Sequence, residues 1–303
     1  MRKNRLTKYS FILFIILFSI FYIAFPADVS KNCRIGVMLW FEQVFPILFV
    51  FTVLSNLIIS TNVLSGIPEK YILIIIYFLG CIFGFPIGAK LASDFSLRGY
   101  INPRHVEYIS AFSNHFSMPF IITYALSDQL GISGHFSIYL VSLYLPSMLG
   151  MIRLISKSDH KTASLREKQK NPASGFMLDM QIVDAGIIKG FETLIKLCGY
   201  IVLFSVIARI PKTLSVNTAS VSILSAFFEA TCGINLICTT NIPYSSRILL
   251  SVSLLSFGGI SCILQTKSIF AGKDFRLCKY VLIKAIMSAS STCLIAVLLG
   301  IFL

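Results

Sequence analysis

Charged residues are scarce in this chain. They make up 13% of its 303 residues, while hydrophobic types reach 56% and mean hydropathy is +0.82. An ordinary soluble domain carries roughly 25% charged residues. A chain this poor in charge does not cover a globular surface in water, so the composition excludes a soluble domain and reads as an all-α, polytopic membrane protein. Acidic residues are scarcer still, 13 against 26 Lys and Arg, for a formal net charge of +13. The basic excess is not spread as a nucleic-acid surface would be. It gathers at Arg2, Lys3, Arg5 and Lys8 and again between Arg153 and Lys170, beside apolar runs. That is the pattern of cytoplasmic flanks; it predicts the lipid bilayer and its anionic headgroups as partner, and no nucleic acid.

Enzyme motifs are missing too. There is no phosphate-cradling glycine loop, so nucleotide hydrolysis is not the expected energy source, and there is no serine nucleophile elbow. The eight cysteines contain no Cys-x-x-Cys pair, and the four histidines show no ligand spacing. The cysteines read as buried free thiols, with no metal and no cofactor implied. Residues 1–27 look like a signal peptide, but cleavage after Ala27 would put Phe25 where a small residue is wanted. The expectation is an uncleaved first transmembrane helix, over residues 1–30, entering from the cytoplasm.

Apolar runs suited to helices fall at about 10–26, 34–60, 71–92, 104–126, 135–155, 182–210, 218–239, 245–270 and 277–303. A crossing needs about 20 residues. Only 156–180 is long, polar and basic, which suggests a cytoplasmic linker between a first half, 31–155, and a second, 181–303. Five full crossings before residue 156 would put that linker outside, against the positive-inside pattern. One element of the first half is therefore expected not to cross, or else an extra short crossing is expected to exist.

The string Gly84-Phe-Pro-Ile-Gly-Ala-Lys90 is the obvious place. Two glycines and a proline loosen a helix, and Pro86 removes a donor that lipid cannot replace. Such a break survives where protein or a watery cavity satisfies the freed backbone, as in the interrupted helices of transporter sites; a short loop between two spans is the plainer alternative. A second break is expected at Gly258-Gly259. Phe51-Thr-Val-Leu in the first half weakly matches Phe204-Ser-Val-Ile in the second, which suggests an internal repeat with one break in each half.

At these residues the chain resembles the YlbJ (SpoVV) family of sporulation integral membrane proteins. The stretches that carry the resemblance are Phe45-Pro46, Gly84–Lys90, Ser113-Asn114 with Pro119-Phe120-Ile121, Phe227-Phe-Glu-Ala-Thr-Cys-Gly233, and Ser256-Phe-Gly-Gly-Ile-Ser261 with Gln265. They cover about residues 34–300; His115 and Phe116 are bulkier than the small residues of the family pattern. The resemblance implies two nucleoside-recognition (Gate) domains with broken or re-entrant helices. It also implies transport of dipicolinic acid during endospore formation, in the mother-cell-derived outer forespore membrane.

Several residues are candidates for the chemistry. Gly84, Pro86, Gly88, Lys90, Asn114, Gly258, Gly259, Gln265 and Thr266 form the expected substrate-binding set: half-helix ends and polar groups aimed at a dianion. Lys90 alternatively caps its segment beside Asp94, and Asn114, Gln265 and Thr266 alternatively make interhelical hydrogen bonds. Glu229 reads as the ion-coupling acid. Placed on a helix, it would share a face with Cys232 and Gly233; its alternative is a structural ion pair with Lys189, Lys196 or Arg209. Arg98 and Lys267 read as interface anchors. Glu42 is either interfacial or cavity-lining. The functional expectation is a transporter of a small anion, with a nucleoside-like permease and a non-transporting sporulation scaffold as alternatives; a homo-oligomer is left open.

Overall fold

The structure is a computed structural model and describes residues 2–61, 63–64, 66–157, 179–216, 218–272 and 274–302. Nearly all of the expected linker 156–180 lies outside the described residues. Regular structure among those residues is entirely helical. Before the linker the order is α1 (Arg2–Ala24), α2 (Pro26–Leu39), α3 (Phe45–Ser60), α4 (Glu69–Phe83), α5 (Ile87–Leu97), α6 (Val106–Ser113), α7 (Met118–Phe120) and α8 (Phe136–Lys157). After it come α9 (Met180–Thr213), α10 (Ala219–Ala226), α11 (Ala230–Thr239), α12 (Tyr244–Phe257), α13 (Gly259–Ile269) and α14 (Leu277–Phe302). A π-type turn, Trp40–Val44, joins α2 to α3, and another, Ile121–Gln129, prolongs α7.

Among the described residues, four helical stretches are long and apolar enough to cross a membrane: Phe136–Ser156, Met180–Thr213, Tyr244–Ile269 (α12 with α13) and Leu277–Gly300. A fifth crossing is counted if Lys8–Ala24 and Pro26–Val44, bent by 104° about Phe25, form one broken span. The outer surface is apolar, as lipid requires. On α14, Leu282, Ile286 and Val297 are 60%, 57% and 59% exposed, whereas Lys284, Ser288 and Ser291 are buried. The polar stripe at i, i+4 and i+7 faces inward, the reverse of a helix in water. Ser288 and Ser291 hydrogen-bond Ser253 and Ser256 of α12 at 2.9 and 3.2 Å, the small-residue contact by which membrane helices approach closely.

The short helices meet at breaks. Gly84 ends α4 with φ +82°, and Pro86 leads into α5; neither α4 nor α5, at 15 and 11 residues, spans a bilayer alone. The expected break at 84–90 is therefore present, but the runs 104–126 and 218–239, read as single helices, are each broken as well. Asn114–Ser117 separates α6 from α7, and Phe227–Glu229 separates α10 from α11. Apolar composition hid both, because neither holds a glycine or proline within the turn itself. Gly258, at φ +93°, provides the fourth break, between α12 and α13.

Each side of the linker thus has two broken elements and not one. Counted in element order, Gly84 is the first break before the linker and Phe227–Glu229 the first after it, with Asn114–Ser117 and Gly258 second. Packing follows the same order: α9 lies along α2 and α3, and α14 lies along α8 and α12. The first two breaks touch, since a Cβ on Gly84 would stand 2.6 Å from the Ser117 nitrogen. The last two are joined by backbone: Ile260 and Ser261 N–H donate to the carbonyls of Phe227 and Phe228 at 2.8 and 2.9 Å.

Candidate functional site

Three of the four breaks wall a cavity of about 40 Å³, and α13, which starts after the fourth, walls it too; there is room for water but not for a planar organic solute without helix movement. Its walls are assembled from six places in the chain. Gln43 and Val44 come from the π-type turn between α2 and α3, where the extra residue per turn redirects side chains. Phe85 comes from the first break, and Phe116, Ser117 and Phe120 from the second. Leu197 and Ile201 of α9 close one side. Glu229 and Thr231 come from the third break, and Cys262 and Gln265 from α13.

Glu229 is 2% exposed. It does not lie on a helical face with Cys232 and Gly233: it is the N-cap of α11, in extended conformation at φ −143° and ψ 121°. Its carboxylate accepts from the Thr231 N–H at 3.1 Å and the Cys232 N–H at 2.6 Å. The reading on a helix is corrected for a plain reason: a cap needs φ/ψ outside the helix so that the side chain can turn back onto the first free donors. The alternative ion pair is not formed either. Among the described residues, no basic nitrogen of Lys189, Lys196 or Arg209 reaches ion-pair distance of Glu229. The acid therefore stands in an apolar, aromatic-walled cavity with two backbone donors.

The other expected residues fall into three groups. Gln265 lines the cavity and donates to the Ser261 hydroxyl at 2.9 Å. Gly84, Pro86, Gly88, Gly258 and Gly259 form or flank the breaks without lining it; a Cβ on Gly88 would stand 2.4 Å from the Ser113 carbonyl oxygen. Asn114 and Thr266 come together away from the cavity wall. Asn114 Nδ2 donates to the Thr266 and Tyr280 hydroxyls, 3.0 Å each. Lys90 is elsewhere: its ammonium donates to Asn56 Oδ1 of α3 and, at 3.4 Å, to Thr193 Oγ1 of α9. Glu42 is exposed and does not line the cavity. All eight cysteines are unpaired.

Sequence reasoning missed Lys284. It is 2% exposed in the N-terminal third of α14, and its Nζ donates to the Asn114 carbonyl at 3.1 Å, in the second break. The signal was available, a second lysine five residues past Lys279 inside the apolar run 277–303, and an ionisable residue at membrane depth marks function by default.

A chain of apolar outer faces, inward polar stripes and half-helices is a polytopic membrane protein. Among curated proteins it is 23% identical, over 300 residues covering 84% of this chain and 73% of the other, to the sporulation integral membrane protein YlbJ of Bacillus subtilis (strain 168). That similarity supports a sporulation membrane protein. It agrees with the motifs that carried the family resemblance. No family model matches the chain. No solved structure matches it either.

Proposed function

We propose that the chain is a transporter of a small planar anion, dipicolinate or a close analogue. In this reading two Gate-like halves carry the anion across the outer forespore membrane during endospore formation, and Glu229 takes up a proton with each turnover. The observation that carries the reading is the convergence of three helix breaks on one cavity with a carboxyl group in its wall that has no basic partner among the described residues. A scaffold needs neither the breaks nor the acid.

The electrostatics make the coupling compulsory. Two like charges about 4 Å apart repel by about 4 kcal/mol at an effective dielectric constant of about 20. A dianion therefore does not share the cavity with ionised Glu229. Protonation removes the repulsion and turns an acceptor into a donor aimed at the solute. Gln43 and Gln265 supply further hydrogen bonds, while Phe85, Phe116 and Phe120 stack on a flat ring.

One observation favours a second reading. Among the described residues no lysine or arginine lines the cavity, which suits a neutral nucleoside-like solute better than a dianion. Uptake of labelled dipicolinate by proteoliposomes, with uridine and unlabelled dipicolinate as competitors, separates the two. Competition by dipicolinate alone is the expected result. Uridine competition moves the assignment to the permease, and no uptake of either solute by folded protein favours the scaffold.

A further inference from the structure

The second break holds a buried ammonium group, that of Lys284. Three observations define it. The Lys284 ammonium reaches the unwound carbonyl of Asn114, just past the C-terminal end of α6. A helix C-terminus carries partial negative charge, and broken membrane helices use such ends together with freed carbonyls to hold a monovalent coupling cation. Next to it, two further atoms are buried without hydrogen-bond partners, Asn114 Oδ1 and His115 Nε2, on residues 3% exposed each. A lone ammonium at this depth is costly unless something of opposite polarity holds it, and here no carboxylate among the described residues is within ion-pair distance of it.

We propose that the ε-ammonium of Lys284 is a tethered cation occupying the place where the second break would otherwise bind a sodium ion. The protein accordingly needs no sodium, and protons are its coupling ion. Lys284 is a positioning residue: it fixes the Asn114–Ser117 turn, whose Ser117 and Phe116 wall the cavity. Its titratable surroundings are Cys81 of α4, His115 of the break, Tyr144 of α8, whose hydroxyl donates to the Phe116 carbonyl at 3.0 Å, Cys262 of α13 and Tyr280 one turn back on α14. From α6, Glu107 engages only Arg276 and Lys279, at the start of α14; from α12, Ser253 and Ser256 meet Ser288 and Ser291 further along. Cys262 lies in the field of both Glu229 and Lys284, so the two ionisable groups flank one residue of the cavity wall.

The coupling half of this inference rests on the transport reading; the cation-site half does not, and a binding experiment tests it alone. Thermal unfolding of the full-length protein is compared in sodium, potassium and choline chloride at one ionic strength. Wild type is expected to unfold at one temperature in all three. Lys284→Ala is expected to unfold at a lower temperature in choline and to regain roughly 3 °C specifically in saturating sodium, because the freed oxygens now bind the metal ion. Lys284→Gln, which keeps the chain length without the charge, is expected to show the same sodium-specific gain if the alanine variant does not fold. Lys284→Arg keeps a cation and should stay indifferent to sodium. Sodium-specific stabilisation of wild type overturns the proposal, and so does the absence of any sodium-specific gain in both neutral variants. A protein that follows the expected pattern yet transports no solute refutes the transport reading and leaves the tethered cation standing.

Discussion

Glu229 does two things with one carboxyl group: it caps α11 and, among the described residues, supplies the only carboxyl group of the cavity wall. The two roles separate by substitution. Glu229→Gln keeps an oxygen that accepts from a backbone N–H but has no exchangeable proton. It is expected to fold with a modest drop in unfolding temperature and to lose gradient-driven uptake. Glu229→Ala leaves the Thr231 and Cys232 donors without partners and is expected to cost roughly 2–4 kcal/mol, read by thermal unfolding. The acid was legible in the sequence, since a Glu between Phe228 and Ala230 in an apolar run has no bland composition to hide in. Its conformation was not, because glutamate is an uncommon cap and nothing local marks 227–229 as a turn. Lys284 went unread for a different reason: the breaks drew attention, while its partner is a backbone carbonyl 170 residues away.

At the scale of the element, the half-helices hold one another by close backbone approach and by a few buried hydrogen bonds. Gly88 of α5 sits against the last carbonyl of α6, so Gly88→Ala forces the two apart and is expected to destabilise by about 1–3 kcal/mol, with uptake falling as the first two breaks separate. Lys90 ties α5 to α3 and α9 through Asn56 and Thr193. Lys90→Met leaves the buried Asn56 oxygen without that donor and is expected to lower stability by about 1–3 kcal/mol while leaving KM for the solute unchanged. A large rise in KM at intact stability would instead put Lys90 in the solute site. The Gly84 and Gly258 breaks were readable because only glycine sits comfortably at φ +82° and +93°. The breaks at Asn114–Ser117 and Phe227–Glu229 use residues that also fit a helix, and tertiary contacts decide them.

At the scale of the molecule, the long helices cross between the two sides of the linker. α9 lies along α2 and α3, and α14 along α8, so the two sides of the linker are interlocked by helix packing. A chain severed between Lys157 and Asp179, with its two pieces co-expressed, is expected to assemble and retain uptake; loss of assembly would show that the connection itself is needed. Composition alone was enough for an all-helical membrane protein, and the similarity to a sporulation membrane protein agrees with it. The central claim, that solute moves through the cavity at the helix breaks with a proton on Glu229, is tested most directly by uptake into proteoliposomes under an imposed pH gradient, wild type and Glu229→Gln in parallel. The account predicts accumulation by wild type that collapses with a protonophore, and none by folded Glu229→Gln. Equal, gradient-driven accumulation by both would contradict it.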